Sequence, residues 1–242
     1  MAIYRGASDT VGASGSQTTT FLQAINYVLE RLRDDTVATY DETTYSELIG
    51  HFVNQAKREV EDAWNWSRLR TTVQVTTADG TYRYALTGAG ERFRLMQDPY
   101  TGAYDVINIT DDYALQMAPS SQFMTTRQAL GTTQSGDPLY FDFNGFDSNG
   151  DPYVNLWPIP NGVATINFQL VVPQPDLTAG ATKITVPAHP VLLRAYALAI
   201  NERGEDQGTI SNKEDEIARL ALADAISRDA GYTQNEFTFI VQ

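Results

Sequence analysis

The chain has 242 residues, 42% hydrophobic and 19% charged, with a formal net charge of −13 and no cysteine. This is an ordinary globular composition with room for one large domain or two small ones, and it excludes disulfides, thiolate metal sites and cysteine nucleophiles together. The acidity makes the chain repel DNA on average, because phosphate contacts require Lys and Arg, and it keeps the chain soluble.

Residues 1–17 read as a flexible N-terminal arm, small and polar, without the basic-then-apolar order of a secretory signal. No run reaches the roughly 18 apolar residues of a membrane span. From Thr20 to Asp34, Phe21, Leu22, Ile25, Val28, Leu29 and Leu32 recur at helical spacing, and Thr20 with Gln23 makes a capping box. A second helix is expected over Thr44–Trp66, with Thr44 and Glu47 as its capping box. Its apolar stripe runs from Tyr45 through Ile49, Val53, Ala56 and Val60 to Trp64. The period then changes to alternation at Val73 and Val75, with Asp79-Gly80 as the turn of a tight hairpin returning through Tyr82, Tyr84 and Leu86. Further strands are expected at Tyr104–Ile109, Leu139–Phe143, Tyr153–Trp157, Thr165–Val172 and Lys183–Val186, with a short helix near Ser121–Leu130.

The helical period returns after Val186. Pro190 suits a first turn and Gly204 the position after a last one, and the residues between are apolar on most faces. Ser211 with Glu214 is a third capping box, opening a last helix that ends near Gly231. The order helices, strands, helices predicts an α+β fold. Residues 18–66 and 187–231 would form an antiparallel helical bundle, since neither helical pair can bury its stripe alone. Residues 67–186 would be an inserted antiparallel β domain, and 1–17 and 232–242 extended termini.

Few residues point to chemistry. Asp147-Ser148-Asn149-Gly150-Asp151 resembles the start of a calcium loop, but no closing Glu follows, and a hairpin turn explains it. His51 and His189 read as an edge residue and a helix-start residue. No Gly-x-Ser-x-Gly elbow or phosphate-binding glycine loop occurs. Arg68 and Arg70 are too few for a nucleic-acid patch. No catalytic, cofactor or metal site is therefore expected. Trp64 and Trp66 read as the seal of a helix–sheet junction, because each buries a large area.

The segment 237–241 stands apart, with Phe237, Phe239, Ile240 and Val241 in a run of strand propensity. It reads either as a strand that pairs with the chain's own sheet or, preferably, as a docking segment that adds a strand to a neighbouring protein. Burying the four side chains yields roughly 6–12 kcal/mol, while ordering the tail costs roughly 1–2 kcal/mol per residue. One arm is marginal, and a ring of arms gains avidity.

Phe21-Leu-Gln-Ala-Ile-Asn-Tyr-Val-Leu29, the long second helix ending in Trp64-Asn65-Trp66, the strand at Thr81–Leu86, Leu156-Trp157-Pro158-Ile159-Pro160 and the Ala-rich helix from Pro190 resemble bacteriophage head-to-tail adaptors. The nearest group is the tail tubular protein A group of short-tailed phages. The likeness runs from about Phe21 to Ala230 and rests on packing motifs. It implies a non-enzymatic virion protein at the head–tail junction, assembled in the host bacterial cytoplasm. Such a protein forms a homo-oligomeric ring, a dodecamer, between the portal protein and the tail tube or nozzle protein. Double-stranded DNA would pass through without sequence-specific binding, and the tail residues named above would dock on the portal. An acidic bore would then be formed by Glu202, Glu205, Asp206, Glu214 and Asp215, within the acids along Glu202–Asp229. Two other readings remain: a carbohydrate-binding or tail-fibre-like module that uses the aromatics as a platform, and a hydrolase that uses Asp111 and Asp112.

Overall fold

Thr20 starts the first helix through its own side chain. In the computed structural model, which describes residues 19–98, 102–118, 134–204 and 209–233, helix α1 (Phe21–Arg31) opens on a capping box. The Gln23 N–H donates to Thr20 Oγ1 at 3.3 Å and the Thr20 N–H donates to Gln23 Oε1 at 2.9 Å. Phe21, Ala24, Ile25, Val28 and Leu29 are its buried face. Helix α2 (Thr44–Ala63) is capped one residue earlier than expected: Thr43 is the N-cap and Ser46 closes the box. The Ser46 hydroxyl also donates to the Thr43 carbonyl, which holds the first turn without recourse to Glu47. The two helices come close enough that a Cβ on Gly50 would lie 3.1 Å from the Phe21 ring.

Helix α3 (Ala188–Arg203) ends on Gly204, whose φ of 64° is the left-handed cap that glycine adopts without strain. Helix α4 (Thr209–Thr233) is already helical at Ser211, so the box expected from Ser211 and Glu214 does not cap it. It also continues past Gly231. Helix α3 packs against α1, α2 and α4, and α1 packs against α2. The described residues up to Arg68 and those from Gln174 onward form one compact unit. The helical period expected after Val186 returns at Ala188, where α3 begins, and the non-helical stretch from Gln174 to Pro187 belongs to the same unit. Lys183–Val186 is not a strand: Lys183 makes a single bridge to Thr20, while Ile184 and Val186 are buried.

Leu69–Pro173 is the second unit. Its nine described strands make two sheets. One has the order β1 (Arg70–Thr76), β9 (Thr165–Val171), β4 (Val106–Asn108), β5 (Tyr113–Ala114), with β3 (Arg94–Leu95) also on β9. The other has the order β2 (Arg83–Ala85), β8 (Pro152–Trp157), β7 (Tyr140–Phe146), β6 (Gln116–Met117). The pairings are antiparallel except β6 with β7, which is parallel, so the sheets are not purely antiparallel as expected. The fold is therefore mixed α+β, with four helices and two sheets among the described residues.

The hairpin expected at Asp79-Gly80 is absent. Strand β1 pairs with β9 and β2 pairs with β8, so this turn carries the chain from one sheet to the other. Thr77 commits β1 to β9: its hydroxyl donates to the Gly162 carbonyl and accepts the Ala164 N–H, both at 2.8 Å. The turn itself is real. Gly80 has φ 72°, and the Tyr84 hydroxyl accepts the Ala78 N–H and donates to the Thr81 carbonyl. Phe141 centres the core of this unit, edge-on to Phe168 at 5.8 Å and to Phe143 at 5.9 Å, the arrangement the ring quadrupole favours. The helix expected near Ser121–Leu130 lies outside the described residues.

Candidate interaction surface

Helix α4 carries apolar residues on more than one face. Ala218 and Asp229 turn inward, while Ile217 and Leu220 are 38% and 64% exposed. Ile217, Leu220, Ala221, Asp224, Ala225 and Arg228 recur at i, i+3, i+4, i+7, i+8 and i+11, a single helical stripe. With Pro187, His189, Pro190 and Leu193 at the start of α3, this stripe lines an open groove of about 310 Å³.

Charged side chains hold the helices that build the groove. Asp229 accepts the Trp64 indole N–H at 3.1 Å, the Ser67 N–H at 3.0 Å and the Ser67 hydroxyl at 2.6 Å. Arg194 of α3 donates to Glu59 of α2 and to Asp215 of α4, and these bonds, Glu59's first, raise its pKa. Arg203 donates to the Tyr45 hydroxyl at 2.8 Å, the Leu32 carbonyl at 3.3 Å and the Asp34 carboxylate. Arg31 pairs with Glu214 at 3.5 Å and stacks on Tyr196 at 4.0 Å. Such partly exposed pairs are worth about 0.2–1 kcal/mol each, so they set geometry more than they set stability.

The residues singled out from sequence fall in different places. Phe237, Phe239, Ile240 and Val241 lie outside the described residues, as do Glu205 and Asp206. Glu202 is exposed at the end of α3. Glu214 and Asp215 are each tied to an arginine, and Asp229, at the end of the acidic series, is only 9% exposed. Trp66 is buried in the helical unit with its indole N–H on the Val60 carbonyl at 2.7 Å; Trp64 is half-buried on Asp229. Asp111 and Asp112 are exposed on the turn between β4 and β5, where Asp111 accepts from the Asn108 amide at 3.0 Å. Asp147 accepts the Asn149 and Asp151 N–H groups at 2.8 and 2.9 Å, and β7 and β8 pair on either side of it as a hairpin. His51 and His189 are both exposed.

Sequence reasoning missed Lys57 and Glu61. Both are 0% exposed, although an i, i+4 Lys–Glu pair ordinarily marks a solvated helix face. Lys57 Nζ donates to the Gln174 and Pro175 carbonyls at 2.6 and 2.9 Å and to Glu61 at 3.3 Å. Glu61 in turn accepts the Gln174 N–H at 3.2 Å. The pair therefore grips the segment that returns to the helices. The groove was missed as well, because residues from two separate helices make it.

No helix of the described residues is long and apolar enough to cross a membrane. A model of the family described as SU10 adaptor protein matches residues 19–236. No curated protein matches the chain.

Proposed function

The chain belongs to the SU10 adaptor protein family, and from that premise we propose that it is a structural, non-enzymatic component of a phage particle. In this reading it forms a ring, a dodecamer, that joins the portal protein to the tail tube or nozzle protein at the head–tail junction. Its design is then that of the tail tubular protein A group, a helical bundle with a β domain inserted between helices α2 and α3. The observation that carries the reading is the extent of the family match, residues 19–236, which takes in both compact units.

Three features support it. The helices are cross-tied by Arg194, Arg203 and Asp229, so they suit packing side by side around a ring. The segment 237–241, with the strand propensity of its sequence, supplies a docking element for the portal. The net charge of −13 suits a bore through which DNA slides without sticking. Among the described bore candidates Glu202 is the strongest, because Glu214 and Asp215 are already paired. Trp64, bonded to Asp229, and Trp66, bonded to the Val60 carbonyl, complete the scheme by fixing the end of α2 within the helical unit.

Electron microscopy of the purified protein, alone and mixed with portal rings, tests the proposal. The expected result is a ring of density added to one end of the portal. Portal rings that stay bare across a concentration series would sink it.

A further inference from the structure

We propose that the groove on α4 is the seat of this chain's own segment 237–241, folded back antiparallel along the helix. The groove leaves Leu220 64% and Ile217 38% exposed, two large apolar side chains on a helix whose other exposed residues are charged, polar or small. Arg228 stands at its end nearest Thr233, exposed and without an ion-pair partner among the described residues. Beyond Thr233 come Gln234 and Asn235, then Glu236, the single charge of 234–242, and then Phe237, Phe239, Ile240 and Val241.

Lengths and charges match. At about 1.5 Å of rise per residue, Arg228 lies about 8 Å back from Thr233, Ala225 about 12 Å, Leu220 about 20 Å and Ile217 about 24 Å. Extended chain advances about 3.3 Å per residue, which brings Glu236 to about 10 Å, Phe237 to about 13 Å, Phe239 to about 20 Å and Val241 to about 26 Å. These distances leave out the reversal itself, which shortens the reach of the segment by the residues it uses. When Gln234 and Asn235 make the reversal, Asn being a residue that turns readily, Phe239 falls level with Ala225 and Val241 with Leu220, within the groove, and Glu236 lies about 5 Å along the axis from the Arg228 backbone, a gap the long Arg228 side chain spans. The free protein is the state concerned, whether or not the segment later meets a portal.

The chain has no cysteine, so Asp224→Cys with Thr238→Cys introduces one pair. In a glutathione buffer the expected product is an intrachain disulfide. Adding Leu220→Asp should slow its formation at least tenfold, and so should Phe239→Asp, a change outside the described helices. Arg228→Glu should slow it severalfold, and the further change Glu236→Arg should restore it. A closure rate indifferent to both Leu220→Asp and Phe239→Asp would mean mere tethering and would overturn the proposal. Disulfide-linked dimers in place of the intrachain bond would overturn it too, by assigning the groove to a second copy.

Discussion

Asp229, near the end of α4, accepts both the hydroxyl and the backbone N–H of Ser67, at 2.6 and 3.0 Å. One carboxylate thereby joins the last helix to the residue that follows α2, with Trp64 as a third donor at 3.1 Å. Asp229 is 9% exposed, and loss of its oxygens strands three donors. Asp229→Ala should cost about 1–3 kcal/mol, since unpaired buried polar groups bear a desolvation penalty. Asp229→Asn, which retains one carbonyl oxygen, should cost less. Urea unfolding curves for the two variants, read for order as well as size, check this.

Lys57 and Glu61 pose a sharper test. Breaking a buried pair by removal of one partner costs about 3–5 kcal/mol, whereas replacing both with apolar groups is often neutral. Here the pair also serves the backbone: the Gln174 and Pro175 carbonyls accept from Lys57, and the Gln174 N–H donates to Glu61. Lys57→Met should therefore be strongly destabilising, and Lys57→Met with Glu61→Leu should recover only part of the loss. A double variant as stable as the parent in urea would show that the backbone groups of 174–175 find other partners.

The same residues show where reading from sequence succeeds and where it stops. The Thr20–Gln23 box was legible because donor and acceptor are three residues apart, although the same spacing misplaced the caps at Thr44–Glu47 and Ser211–Glu214, where the helix starts earlier. The Asp147–Asp151 hairpin was legible for the same reason. Asp79-Gly80 specified a turn but not which strands it joins. That choice rests on Thr77 and its bonds to Gly162 and Ala164, more than eighty residues away. Strands β3, β5 and β6 hold two residues each, too few to display any period. Lys57–Glu61 looked solvated because the carbonyls that bury it come from 174–175. The groove needed α3 and α4 side by side before Leu220 and His189 could be seen to line one feature.

Alkaline pH should weaken the fold. Burial, the largest cause in each case, raises the pKa of Tyr45, Tyr84 and Tyr113 from 10.0, against the opposing hydrogen bonds that Tyr45 receives from Arg203 and Tyr113 from Asn108. The folded state thus holds these phenol protons more tightly than the unfolded chain does. Their contribution is complete below pH 10 and is lost as the pH climbs from there through the raised folded values. The urea midpoint should fall as the pH rises above about 10, together with a delayed rise in phenolate absorbance. Tyr84→Phe should lose about 1 kcal/mol near neutrality, with its bonds to Ala78 and Thr81. It should show a shallower alkaline decline than the parent.

Asp147 decides between a turn and a cation loop. Its Oδ1 already accepts two backbone N–H groups, from Asn149 and Asp151. Asp151 directs its own Oδ1 to the Gly90 N–H at 2.9 Å. Carboxylates engaged in this way stabilise the loop between β7 and β8 by themselves. Asp147→Ala should cost about 1 kcal/mol, as the loss of a local side-chain-to-backbone bond does at a helix cap, and Asp147→Asn, which keeps the acceptor, should cost little. Neither millimolar calcium nor a chelator should move the melting temperature of the parent chain. A calcium-dependent rise in that temperature, abolished in Asp147→Asn, would instead make the loop a cation site.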